Sequence, residues 1–366
     1  MTQNRLLSLD VMRGLTVIGM VVVNSAAVFH FGTGAPVFDI LLHAPWHGIT
    51  LADLVFPFFI FMVGVSIPFS LSGEKRKGVI TRETALRVIR RGAVLFVIGW
   101  LLTASLADWS EPIRLLGVLQ RIGLTFIAAS FLYLVLSKRM LMAVVVLILV
   151  AYDLLALLPI PDAASDYLKP GQNFSSWLDR AVLGPYIYNP GAELPFEPEG
   201  LLGTLPSVAQ AIIGVLVGRW LKRHERGSSE LWRFVTIGFT MVLAGCVWSM
   251  ELPPVKAIWS TAFVLQTSGW AMILFAALYW FLDVRQVATP GTAFTQAFGV
   301  NAITAYVLHT YLMSPMLTSM PLRDLHGVLS GVLPPEIAAL PGLVAVVLAT
   351  WLPLWIMKRF GITLKV

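Results

Sequence analysis

Apolar stretches long enough to cross a lipid bilayer recur from one end of the chain to the other, and no other feature constrains its fold as tightly. A spanning helix requires about 20 predominantly apolar residues. Such runs lie near residues 9–31, 51–71, 92–107, 115–136, 140–158, 200–221, 232–250, 257–282, 294–315 and 338–357. They predict an all-α polytopic membrane protein, a bundle of about ten transmembrane helices forming one domain over 1–366. Composition agrees: 57% of the residues are hydrophobic and 13% charged, against roughly 25% charged in soluble domains, which excludes a water-soluble globule. The single cysteine, Cys246, excludes a disulfide framework and any cysteine-based metal site.

The basic residues choose an orientation. Arg5, Lys75 to Arg91, Lys138 and Arg139, Arg219 to Arg233, Arg285, and Lys358 to Lys365 fall on alternate connections. The remaining connections carry only Arg114, Lys169, Arg180, Lys256 and Arg323. The positive-inside rule places the basic connections, and with them both termini, in the cytoplasm. The formal charge of +6 is read as this bias and not as a nucleic-acid footprint. No Ala-x-Ala cleavage site follows a short apolar core, so Leu6 to His30 is expected to be a retained first span.

One long outer (periplasmic) connection, near 159–199, holds Pro159, Pro161, Pro170, Pro185, Pro190, Pro195 and Pro198 and is expected to be ordered. Its Trp177, Tyr186 and Tyr188 are suited either to stacking on a sugar ring or to loop packing. Asn173-Phe174-Ser175 matches the glycosylation acceptor pattern. Gly214-x-x-x-Gly218 is a close-packing signal between helices, and the lack of an internal repeat disfavours a transporter built from inverted halves.

Ionisable and amide side chains inside a bilayer are costly and mark a function or a buried partner. Asp10 and Arg13, three apart at the start of the first span, are placed to pair on one helix face. Asn24 follows eleven residues later, about 16 Å further along the helix. His43-Ala44-Pro45-Trp46-His47-Gly48 precedes the second span. Two histidines four apart suggest a metal face only on a helix, and Pro45 disfavours helix at Ala44, so no metal site is expected. A histidine here suits general-base or nucleophilic work near neutral pH. Asp53 either orients His43 or His47 or caps the helix that begins near Thr50. Gln120 and Arg121 open the fourth span, where something anionic or carbonyl-rich must face the guanidinium. Asn301, Tyr306 and His309 share the ninth, with Asn301 and His309 about two turns apart on one face. His30, His224 and His326 receive no role.

These motifs together resemble the heparan-α-glucosaminide N-acetyltransferase family, in particular its shorter bacterial members. The resemblance rests first on Leu7-Ser8-Leu9-Asp10-x-x-Arg13-Gly14, Asn24, and His43-Ala-x-Trp46-x-Gly48-x-Thr50-x-Ala52-Asp53-Leu54-Val55-Phe56-Pro57. It continues through Gly117-Val-Leu-Gln120-Arg121, Pro198-Glu199-Gly200-Leu201-Leu202, Lys256-x-x-Trp259-Ser260, and Gly299-x-Asn301-Ala302 with Tyr306 and His309, so it covers nearly the whole chain. The resemblance implies a multi-pass acetyltransferase of the bacterial inner membrane that takes acetyl from cytoplasmic acetyl-CoA to an amino sugar on the other side, without a metal. It carries the family's active histidine onto His43, as general base or transient acetyl carrier, and its first-span asparagine onto Asn24, as a donor to the thioester carbonyl. An amine attacking a thioester needs a proton removed and an oxyanion stabilised, and these two residues are that minimum. Arg13, Arg121 and Asn301 become candidates for contacts to the donor, and Asp53, Trp46, His47, Gln120, Glu199 and His309 for the acceptor site. A homodimer is plausible by the same resemblance.

Three departures bear on the acceptor: His47 stands where some members carry Asn, Glu197 where Asp is expected, and Val300 where Met is more usual. Free glucosamine or a small amino-sugar fragment is the expected acceptor. Two other readings use the same polar interior, namely an amino-sugar transporter or permease accessory and an acyltransferase acting on cell-envelope polysaccharide.

Overall fold

Each long apolar run of the sequence becomes helix. The computed structural model describes residues 6–188, 193–224, 227 and 229–364, so Arg5, Pro190, Arg226 and Lys365 lie outside the described residues. The helices are α1 (Leu7–Thr33), α2 (Leu51–Lys77), α3 (Arg82–Leu106), α4 (Val118–Val135), α5 (Lys138–Ala156), α6 (Phe174–Leu183), α7 (Thr204–Leu221), α8 (Ser229–Trp248), α9 (Thr261–Tyr279), α10 (Pro290–Val300), α11 (Ala302–Leu317), α12 (Met320–Ser330) and α13 (Pro335–Arg359). Among the described residues the only β-type pairing is an isolated antiparallel bridge between His47 and Val255. Polar residues start the helices in the expected manner: Thr81, Ser137, Asn173 and Thr289 each accept a hydrogen bond from a backbone N–H three residues on.

Eight helices are long and apolar enough to cross a bilayer: α1, α2, α4, α5, α7, α8, α13, and α9 with its π-helical extension to Val284. The expected run at 92–107 lies in α3, whose first ten residues carry Arg82, Arg87, Arg90 and Arg91. The expected run at 294–315 is not one helix. It breaks at Asn301, whose backbone sits at φ −117° and ψ 42°, into α10 and α11.

The chain forms two compact units. The described residues of one fall within Met1–Ala44, Ile49–Phe56 and Leu274–Lys365, those of the other within Pro45–Gly48 and Pro57–Ile273. In the first, α1 packs on α10, α11 and α13. Glycine permits this closeness: a Cβ at Gly14 would meet the Thr295 carbonyl oxygen at 1.9 Å, and one at Gly299 the Asp10 carbonyl oxygen at 2.0 Å. The Asp283 carboxylate accepts the Leu7 and Ser8 N–H groups, each at 3.0 Å, and so satisfies the start of α1.

In the second unit α3 packs on α4, and α4 and α5 pack on α7. The Gly214-x-x-x-Gly218 motif lies against α2, where added Cβ atoms would meet the Phe61 and Val65 carbonyl oxygens at 2.1 and 2.2 Å. The connection near 159–199 holds α6 and a 3-10 turn at Gly184–Tyr186. Asn173, part of the acceptor-like tripeptide, is 1% exposed and its side chain caps α6.

Candidate active site

Within the first unit, His43 lies just ahead of α2 and Asp53 in its first turn. Asp53 is fully buried, while the His43 side chain is 43% exposed. Pro45 keeps Ala44 out of helical backbone, and the loop returns so that Asp53 Oδ1 sits 2.8 Å from His43 Nδ1. The second oxygen, Oδ2, accepts the Thr50 N–H at 3.0 Å and the Ala44 N–H at 3.1 Å. Reaching back from the third helical position to the N-cap N–H is one half of a capping box. Asp53 therefore does both jobs left open by the sequence, one with each oxygen. An ionised carboxylate only accepts, so its bond to Nδ1 fixes the proton there and puts the lone pair of the neutral ring on Nε2. That is the tautomer a base or nucleophile needs.

The same unit holds a second pair. His309 on α11 is fully buried; its Nδ1 lies 3.2 Å from the Ala305 carbonyl and its Nε2 3.0 Å from Asn24 Nδ2. The carbonyl can only accept, so Nδ1 carries the proton and Nε2 accepts from the Asn24 amide. This aims Asn24 and leaves its second N–H and its Oδ1 with no other partner among the described residues. The Tyr306 ring meets the His309 ring edge-on at 5.5 Å. Asn301, 1% exposed at the helix break, has neither amide atom hydrogen-bonded among the described residues. Arg13 pairs with Asp10 at 3.7 Å, as their spacing predicts.

In the second unit Trp46 is buried, donates its indole N–H to the Tyr167 carbonyl at 3.0 Å and meets Phe196 edge-on. His47 is exposed, and its backbone forms the bridge to Val255. Gly48 follows at φ 112°, which favours glycine, and its N–H reaches the Pro254 carbonyl at 2.9 Å. Gln120 is buried and donates to the Leu115 carbonyl at 3.2 Å.

Arg121 is 1% exposed, donates to the Gly200 carbonyl at 3.2 Å and lies 5.0 Å above the Trp259 ring. Carbonyl and ring face the guanidinium as expected, while its Nε and Nη1 have no hydrogen-bond acceptor among the described residues. Gly200 is needed because a Cβ there would strike Asp179 Oδ2 at 1.8 Å. Asp179 accepts the Leu201 N–H at 2.8 Å, and burial pushes its carboxyl up to about 7. Arg114 binds both Glu197 and Glu199 and covers the Tyr188 ring. Burial alone would raise the Glu199 carboxyl, but Arg114, Arg121 and Lys256 outweigh it and hold it below the ordinary carboxylate range. Arg114 and Asp179 received no site role from sequence: Arg114 counted only as a basic residue of an outer connection, and Asp179 is far from Arg121 along the chain. Nor was Gln210, which joins the Trp259 indole N–H at 3.0 Å to the Thr267 hydroxyl at 3.0 Å.

Together these features describe a polytopic membrane protein with an aspartate-backed, accessible imidazole in the unit that also holds an oriented amide. The family model described as heparan-alpha-glucosaminide N-acetyltransferase, catalytic, matches residues 5–246, and the chain belongs to that family. Two heparan-alpha-glucosaminide N-acetyltransferases are similar along most of it. The human protein is 29% identical over 359 residues, 83% of this chain and 52% of its own length. The mouse protein is 28% identical over 363 residues, 84% of this chain and 54% of its own. The chain thus spans about half the length of these curated relatives. His309 lies beyond the stretch matched by the family model.

Proposed function

We propose that the chain is a transmembrane N-acetyltransferase that moves acetyl from cytoplasmic acetyl-CoA to the amine of glucosamine or a related amino sugar at the opposite face, the periplasm of a bacterial inner membrane. The observation that carries this is the His43–Asp53 pair at 2.8 Å, with the His43 side chain 43% exposed. Nε2 takes the proton of the attacking amine, or takes the acetyl group itself and passes it on. Asn24, aimed by His309, donates its remaining N–H to the developing oxyanion. On this reading α3 and the broken α10–α11 pair complete ten spans with both termini inside, and the protein works as a homodimer.

Asn301 offers two unpartnered amide atoms at 1% exposure, which fits a donor-facing position better than a packing one. Arg13 and Arg121 are further candidates for the donor side. Trp46, His47, Gln120 and Glu199 form or support the acceptor side, with the three loop aromatics at its approach.

The test is release of coenzyme A thiol by purified protein given acetyl-CoA with and without glucosamine, with the product identified by mass spectrometry. Glucosamine-dependent release with N-acetylglucosamine formed is expected. Glucosamine uptake into vesicles without thiol release would overturn the transferase in favour of transport, and acetylation of cell-envelope polysaccharide alone would overturn the acceptor.

A further inference from the structure

At the end of α13 that carries Lys358 and Arg359, a cleft of about 680 Å³ opens between α13 and the start of α10. Its wall is a column of aromatic rings. Phe294 stacks on Trp351 with centroids 5.2 Å apart, and Trp351 on Trp355 at 5.8 Å. Its rim is cationic, with no acidic residue lining it among the described residues. Lys358 Nζ is held 2.9 Å from Gln296 Oε1 and 3.2 Å from the Ala293 carbonyl, and the Arg359 guanidinium lies 5.4 Å above the Trp355 ring.

The cleft continues a lipid-facing surface. Leu348, Leu352 and Trp355 are 48%, 51% and 37% exposed, and their spacing puts them on one stripe of α13, a helix apolar enough to cross a bilayer. An occupant must therefore join an apolar body that enters from lipid to an anionic head at the membrane surface.

We propose that this cleft is a binding site for an anionic phospholipid. The headgroup phosphate lies against Lys358 and Arg359, and one acyl chain runs along Phe294, Trp351 and Trp355. Each cation within reach of an anionic headgroup is worth roughly 1 kcal/mol, or about fivefold in affinity. The site is independent of the reading of His43.

Native mass spectrometry of the purified full chain, titrated with phosphatidylglycerol and with phosphatidylcholine of the same acyl chains, tests it. The wild type is expected to bind phosphatidylglycerol at least tenfold more tightly. Lys358→Gln with Arg359→Gln should remove that preference, weakening phosphatidylglycerol far more than phosphatidylcholine, whereas Lys138→Gln with Arg139→Gln should retain it. Should the double variant fail to fold, Arg359→Gln alone, at an exposed position, is expected to cost about fivefold. Equal binding of the two lipids in the wild type, or a preference indifferent to Lys358 and Arg359, would overturn the site. Displacement of the lipid by acetyl-CoA, with acetyl-CoA binding lost in the double variant, would replace the lipid by a nucleotide.

Discussion

His43 and Arg121 each place a polar head in an apolar chain, and their surroundings differ in exposure. His43 sets Nδ1 against a buried carboxylate in a side chain 43% exposed. Arg121 is enclosed, with the Gly200 carbonyl, the Trp259 face and nearby carboxylates around it, and its Nε and Nη1 have no acceptor among the described residues. The first arrangement keeps an imidazole within reach of solvent; the second ties α4 to the end of the outer connection. Burial of charge alone thus does not mark chemistry; a working group must also be reachable.

The contrast breaks most visibly on the enclosed side. Arg121→Ala removes a buried cation from beside carboxylates and leaves a cavity, and it should destabilise the fold by about 3–5 kcal/mol, read as a large fall in melting temperature; unchanged melting would make Arg121 dispensable to the fold. Asp53→Asn is the next largest effect. It retains a short polar side chain but allows the amide to donate to Nδ1, favouring the wrong tautomer, and acetyl transfer should fall on the order of 10–100-fold in kcat. His309→Leu frees the Asn24 amide and should lower kcat about tenfold with little change in the KM for glucosamine; a change confined to KM would assign His309 to acceptor binding instead.

The smallest effect is one of pH. The Asp179 carboxyl, raised by burial to about 7 from an ordinary 3.8, holds its proton more tightly folded than unfolded. It therefore favours the folded state below about pH 4, and that contribution is lost as pH rises to about 7, at up to about 1.4 kcal/mol per pH unit. Asp179→Asn, whose side-chain oxygen still accepts the Leu201 N–H, should flatten stability over that window in denaturant titrations. A slope identical to wild type would sink the assignment.

The spans were legible because an apolar run of the right length has few other uses, and Asp10–Arg13 was legible because i, i+3 fixes a distance. The family motifs pointed to His43 and Asn24. The partners were not legible where the chain separates them: Asn24 and His309 meet across 285 positions, and Arg121 meets Gly200 across 79. Local spacing also left Asp53 between two roles, because a carboxylate has two oxygens and sequence does not say they act separately. The break at Asn301 was hidden inside a continuous apolar run, where hydropathy is blind to a backbone turn.

The most direct test of the reading of His43 is to compare His43→Ala with wild type in glucosamine-dependent acetyl transfer, with melting temperature measured on the same preparations. The expected result is a fall in kcat on the order of 10³-fold with melting within a degree or two of wild type, because the imidazole is the half-exposed member of the pair. Retained transfer in a folded His43→Ala protein would contradict it.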